Sequence, residues 1–143
     1  NASELLNEIV GQMLSVGLPS GSGVQVEQSF EPIKIDADDA APLTLLVSEA
    51  LTNALKYVST VEHGKGFISL KLIQTGPEQA MIEVRNTIGN PEEVKSGTGL
   101  GSRLILAFTR QLNGQVEVET TDGVYQIRVN FHVPTDSKMV YDY

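Results

Sequence analysis

The stretch "DADDAAPLTLLVSEALTNALKYVS", residues 36–59, constrains the fold more than any other. Leu43, Leu46, Val47, Ala50, Leu51, Ala54, Leu55 and Val58 recur at i, i+3 and i+4, which makes a broad apolar stripe along one long helix. Acids crowd its start, where the helix dipole favours negative charge. Pro42 is tolerable only in a first turn, so the spacing predicts that it sits there. An apolar face this wide must be covered by a sheet or by other helices.

The rest of the chain supplies that cover. Residues 3–16 place Leu5, Leu6, Ile9, Val10, Met13 and Leu14 on one helical stripe, with Ser3 as its expected cap. A Gly/Ser/Pro loop (17–23) leads to a strand over 24–30, where Val24, Val26 and Phe30 alternate and Gln28 interrupts the set. Residues 33–35 are a short extended piece, and 59–66 a loop. Residues 67–74 and 80–86 read as a β-hairpin joined by a turn at 75–79. A loop over 87–100 precedes a helix over 102–113, with Leu104, Ile105, Phe108 and Leu112 inward and Gly114 as its stop. Residues 115–120 and 124–133 form a closing hairpin around "TDG", with Tyr125, Ile127, Val129, Phe131 and Val133 alternating inward. A polar tail after Pro134 is expected to fray. Helix, strand, long helix, two strands, helix, two strands predicts an α/β (α+β) fold. Its expected form is a two-layer sandwich, a mixed, mostly antiparallel sheet with helices on one face. No linker or repeat divides residues 1–143, so a single domain is expected.

Composition narrows the partners. The chain of 143 residues carries a formal charge of −8, with ten Lys and Arg residues scattered along it. A phosphate-backbone contact needs clustered basic residues, so nucleic acid is not an expected partner. No apolar run reaches membrane-spanning length, and no membrane contact by this domain is expected. There is no cysteine, which excludes disulfides and thiolate chemistry and fits a reducing, cytoplasmic setting. The chain starts at Asn1 without a Met, as expected for a piece of a longer protein whose other parts can include a membrane anchor.

Two places can carry chemistry. Glu49 and Asn53 are four residues apart and lie one above the other beside the apolar stripe, with Lys56 and Tyr57 following. A carboxylate and an amide there can hold Mg²⁺ through oxygen or orient a water. An isolated pair of this kind is more often plain solvated helix surface. The second place is "GTGLGSR": Gly97, Thr98, Gly99, Leu100, Gly101 and Ser102, then Arg103. Its glycines allow close backbone approach to a ligand, and the run opens into a helix whose first N–H groups are unpaired. Together these suit phosphate, although a flexible glycine turn explains the run equally well. It lacks the GK[ST] ending of a Walker loop, and no simple βαβ unit surrounds it. His63 and His132 have no second ligand at metal spacing, and Ser48 and Ser102 lack a nucleophile context. Arg103 and Arg110 share a helix face, and exposure is the default for both.

In combination, "SEALTNALKYV", a hairpin, "GTGLG" and a helix ending "RQLNGQVEVET" resemble the ATP-binding catalytic domain of sensor histidine kinases. This is the Bergerat-fold (GHKL) superfamily shared with gyrase, Hsp90 and MutL. The ExxxNAxKY form and the short lid are similar to the HWE/HisKA_2 type, and the likeness runs from about Asp36 to Val133. The resemblance implies ATP and Mg²⁺ as cofactors. It implies Asn53 as the metal ligand and Glu49 as the group that polarises a phosphoacceptor imidazole or a water. Lys56 would face the phosphates, Tyr57 the adenine, and Gly97, Gly99 and Gly101 would line the triphosphate. The implied partners are a histidine-bearing helical dimerisation domain of the same protein and a response regulator. Transfer of the γ-phosphoryl group to that histidine is the implied act.

One box departs from the pattern. Where the family has DxGxG, this chain reads Asn86-Thr87-Ile88-Gly89-Asn90. An amide oxygen still accepts from the adenine amine but loses charge assistance, a loss on the order of 1 kcal/mol or about tenfold in affinity. Ile88 can pack on the adenine or block it. The lid before Gly97 is only "PEEVKS". Two other functions share these residues: a non-catalytic, degenerate kinase-like module of a histidine phosphotransfer protein that docks a response regulator, and an anti-sigma serine kinase. The "RQLNG" and "ALKY" details favour the histidine-kinase type.

Overall fold

The computed structural model describes residues 1–18, 21–89 and 100–135, the side chains of 100–102 excepted. Among the described residues, three helices, α1 (Ala2–Gly17), α2 (Ala37–Val58) and α3 (Leu100–Gln111), cover a five-stranded sheet. The strands are β1 (Gln25–Phe30), β2 (Phe67–Gly76), β3 (Gln79–Thr87), β4 (Gln115–Thr121) and β5 (Val124–His132), in the spatial order β1-β2-β3-β5-β4. Among the described strands, β1 and β2 run parallel and every other neighbouring pair is antiparallel.

The register explains the core. Ile68, Asn86 and Tyr125 lie side by side across β2, β3 and β5, as do Leu70, Val84 and Ile127, and Leu72, Ile82 and Val129. All nine are buried on the helix-covered face, because alternate residues of a strand share a face. The apolar stripe of α2 lies over them, buried at Leu43, Leu46, Val47, Ala50, Leu51, Ala54 and Val58. α1 packs on β1, α2 on β2 and β3, and α3 on β4, so α2 is the middle helix of the layer.

Local chemistry departs from the sequence expectations at five points. Asn1, not Ser3, caps α1: its Oδ1 accepts from the Glu4 N–H at 3.0 Å and from the Ser3 hydroxyl at 2.6 Å. Pro42 lies inside α2, beyond the first turn, where it is buried and leaves one carbonyl of the preceding turn without its helical donor. The β1 side chains are largely exposed, because β1 is an edge strand; Gln28 interrupts the apolar alternation because its amide meets Asn7 of α1 at 2.6 Å. α3 is helical from Leu100 to Gln111, two residues earlier at each end than the periodicity indicates. Finally, Asn113 rather than Gly114 takes the left-handed conformation (φ 55°) that ends α3. The Gly114 N–H reaches the Thr109 carbonyl at 3.0 Å and the Asn113 N–H reaches Arg110 at 3.1 Å, the bond pair of a Schellman cap. Gly114 is required for another reason: a Cβ there would overlap the Asn130 carbonyl of β5.

Both hairpins form. The first turn narrows to Pro77-Glu78. The second is the two-residue turn Asp122-Gly123, with φ of 52° and 76°, the pair of positive angles a tight hairpin turn requires. The polar tail beyond Thr135 lies outside the described residues.

Candidate functional site

α2 positions the first half of the site. Leu55 lies on the flank of α2 that meets α1, since a side chain at Gly17 would run into it. Glu49 and Asn53 lie on the opposite flank, toward α3. Both are half-buried, and neither has a hydrogen bond or ion pair among the described residues. The structure therefore holds a carboxylate and an amide one turn apart at the edge of the apolar stripe, with their polar atoms uncommitted. Lys56 is exposed, its Nζ 5.8 Å from the centre of the Tyr57 ring. Tyr57 is buried and meets Tyr125 of β5 edge to face, ring centres 5.5 Å apart. Burial, and then the neighbouring Tyr57, raise the Tyr125 phenol above its ordinary pKa, so it stays neutral.

The end of β3 supplies the second half. Asn86 shares its row with Tyr125 and is 1% exposed. Its Nδ2 donates to the Thr87 carbonyl at 3.0 Å, which orients the amide and leaves Oδ1 as the atom able to accept. Ile88 is buried and belongs to the core, and its N–H donates to the Gly123 carbonyl at 2.9 Å. The Thr87 hydroxyl accepts from the Phe67 N–H at 3.0 Å. Gly89 donates its N–H to the Thr60 hydroxyl at 3.1 Å.

The structure thus brings Asn53, Tyr57 and Asn86 to one end of the sheet, beneath and beside the C-terminal half of α2. Gly97, Thr98 and Gly99 and the lid before them lie outside the described residues. Leu100, Gly101 and Ser102 are already within α3, so the last glycine of the run is helical, and Arg103 in the same turn is exposed. His63 and His132 are both exposed and stand on different elements, and no group of His, Asp and Glu at metal-holding distance occurs among the described residues. No described helix is long and apolar enough to cross a membrane. Sequence reasoning missed Thr60, Thr87 and Gly123, which hold the 86–89 segment in place. Gly123 was legible as a turn; the two threonines carried no local signal.

A cavity of about 460 Å³ between Glu31–Ile33 and Gln74–Pro77 lies at the other end of β2. It belongs to the first hairpin, far from Asn86, which pairs with Ile68 near the start of that strand.

Comparison with solved structures shows the same architecture. The histidine kinase domain of the blue-light activated histidine kinase EL346 from Erythrobacter litoralis superposes with a TM-score of 0.76 at 22% identity. That match covers 90% of this chain and 59% of the other, so the chain spans about three fifths of that relative. The mycobacterial sensor histidine kinase MprB matches with a TM-score of 0.71 at 17% identity over 92% of this chain and 95% of that one. Full-length ShkA in complex with AMPPNP matches with a TM-score of 0.74 at 17% identity, over 94% of this chain and 30% of that one. At these identities the likeness speaks for the fold. No curated protein sequence matches the chain. The family model for the histidine kinase-, DNA gyrase B- and HSP90-like ATPases matches residues 38–137, from the first turn of α2 past the end of β5. The chain therefore belongs to that ATPase family.

Proposed function

We propose that this chain is the ATP-binding catalytic domain of a two-component sensor histidine kinase of the HWE/HisKA_2 type. In this reading it transfers the ATP γ-phosphoryl group to a histidine on a separate helical dimerisation domain of the same protein. The observation that carries the reading is the convergence of Asn53, Tyr57 and Asn86 at one end of the sheet, in a chain of the ATPase family.

The donor set suits Mg²⁺: Glu49 and Asn53 offer oxygens only, half-buried and without competing partners among the described residues. A bound Mg²⁺ would supply neutralisation of the phosphate charge, the main requirement of phosphoryl transfer. Asn53 would hold it. Glu49 would accept the ring N–H of the phosphoacceptor imidazole and so strengthen the opposite nitrogen as a nucleophile. That nitrogen forms the new P–N bond as the bond from the γ-phosphorus to ADP breaks. Lys56, exposed beside Tyr57, would meet the phosphates, together with the run Gly97–Ser102 and Arg103. Asn86 would accept from the adenine amine through Oδ1, with Tyr57 and Ile88 packed nearby.

A second reading rests on one specific residue. Asn86 stands where the family carries Asp, which favours a non-catalytic module that docks a response regulator. Incubation of the chain with ATP labelled at the γ-phosphate, Mg²⁺ and the histidine-bearing hairpin of its own full-length protein separates the two. Label on the hairpin histidine is the result expected here. An unlabelled hairpin, with the folded chain still binding a response regulator, would establish the second reading instead.

A further inference from the structure

Thr60 is the first residue past the end of α2 that touches the other half of the site. Its hydroxyl donates to the Tyr57 carbonyl at 2.7 Å, and the same oxygen accepts the Gly89 N–H at 3.1 Å. One small side chain therefore bridges the last turn of α2 and the segment that follows β3. The approach is close enough to dictate the residue opposite, because a Cβ on Gly89 would overlap the Thr60 carbonyl. Gly89 is thus a glycine because α2 ends against it, whatever a ligand requires.

Two other bonds fix the same segment against the sheet, Phe67 N–H to the Thr87 hydroxyl and Ile88 N–H to the Gly123 carbonyl. Those two set its place relative to β2 and to the β4–β5 turn. Only the Thr60 bridge, among the described hydrogen bonds, sets its place relative to α2. Glu49, Asn53 and Lys56 ride on α2, while Asn86 and Ile88 ride on the segment.

We infer that Thr60 is a positioning residue for nucleotide: it holds the α2 half and the Asn86–Gly89 half of the site at the separation that one bound purine nucleotide spans. This rests on the ATP-binding reading above. A ligand that contacts both halves loses affinity when their separation is no longer held, because part of its binding energy goes into ordering them.

The test compares Thr60→Val, which keeps the shape and loses the hydroxyl, with Thr60→Ser, which keeps the hydroxyl. Hydrogen exchange at the Gly89 amide is followed by NMR without nucleotide, and Mg²⁺–ATP affinity is measured by calorimetry. Thr60→Val is expected to speed Gly89 exchange at least tenfold and to weaken ATP about tenfold, equivalent to about 1.4 kcal/mol. Thr60→Ser is expected to restore both to the parent values. If Val and Ser behave alike in exchange, the hydroxyl bridge does not hold the segment, and the inference is overturned. Thr60→Ala serves in place of the Val variant if that one does not fold. A parent that binds no ATP overturns the positioning role together with the ATP-binding reading. A parent that binds ATP, with affinity unchanged in Thr60→Val, overturns the positioning role alone.

Discussion

The two halves of the candidate site treat their polar atoms in opposite ways. On α2, Glu49 and Asn53 are half-buried and, among the described residues, have no partner. At the end of β3, Thr87, Ile88 and Gly89 are each tied by a named hydrogen bond to another part of the scaffold, and the Asn86 amide is held by the carbonyl of Thr87 beside it. The first half leaves its polar atoms open to whatever approaches from outside. The second is a fixed wall, in which the Asn86 Oδ1 is left able to accept after its Nδ2 has been taken by the Thr87 carbonyl. Substitutions should separate them: changes on α2 alter binding and spare stability, whereas changes on the wall alter both.

The largest effect expected is on binding. Asn53→Ala should weaken Mg²⁺–ATP about a hundredfold, the loss of a metal-held contact, equivalent to about 2.7 kcal/mol. Its melting temperature should stay within about 2 °C of the parent, since no described partner is left unpaired. A large fall in melting temperature would break the comparison.

Asn86→Asp, the change toward the family residue, should come next, and its sign is the opposite of a simple repair. It replaces the Nδ2 donor with an oxygen facing the Thr87 carbonyl, at a site 1% exposed. A destabilisation of about 1–3 kcal/mol is expected in nucleotide-free protein at neutral pH. Burial would raise the new carboxyl's pKa above its unfolded value. The penalty should therefore be absent below about pH 4 and appear as pH rises through the folded-state pKa. Denaturant melts at pH 4 and pH 7 check this; an unchanged or stabilised protein at pH 7 would show the wall to be adaptable.

Tyr57→Phe tests the boundary between the halves. The ring contact with Tyr125 survives the change, so melting should shift by less than about 0.5 kcal/mol in stability, with little change in ATP affinity. A marked affinity loss would mean that the Tyr57 hydroxyl meets the ligand directly.

The smallest effect lies outside both halves and calibrates them. Asp39 has its pKa raised by burial first, then by Asp36 and Asp38, with His132 acting in the opposite sense. A carboxyl raised in the folded state disfavours the fold once ionised, so its penalty sets in as pH climbs past about 3.8. Asp39→Asn should stabilise slightly at pH 7, by less than about 0.5 kcal/mol, and have no effect at pH 3. The acids that open α2 thus work partly against one another, despite the favourable dipole at that end.

What was legible in the sequence follows from periodicity. The stripe from Leu43 to Val58 and the alternation from Tyr125 to Val133 each reported a single buried face, and both lie in the core. The order of elements and the mixed sheet followed from these patterns. The ends were less legible, because caps depend on which of several competent residues wins. Asn1 took the cap expected of Ser3, and Asn113 took the left-handed position expected of Gly114. Glu49, Asn53 and Asn86 stood out in the sequence only through their resemblance to the family's boxes, and the substitutions above test the roles of Asn53 and Asn86. The bridge from Thr60 to Gly89 was not, since it joins residues 29 apart through one hydroxyl and leaves no pattern in either segment.

Calorimetry of the folded chain with ATP tests the central claim most directly. The account predicts saturable heat at or below millimolar ATP in the presence of Mg²⁺, lost in Asn53→Ala. A folded chain that gives no heat at millimolar ATP would contradict it.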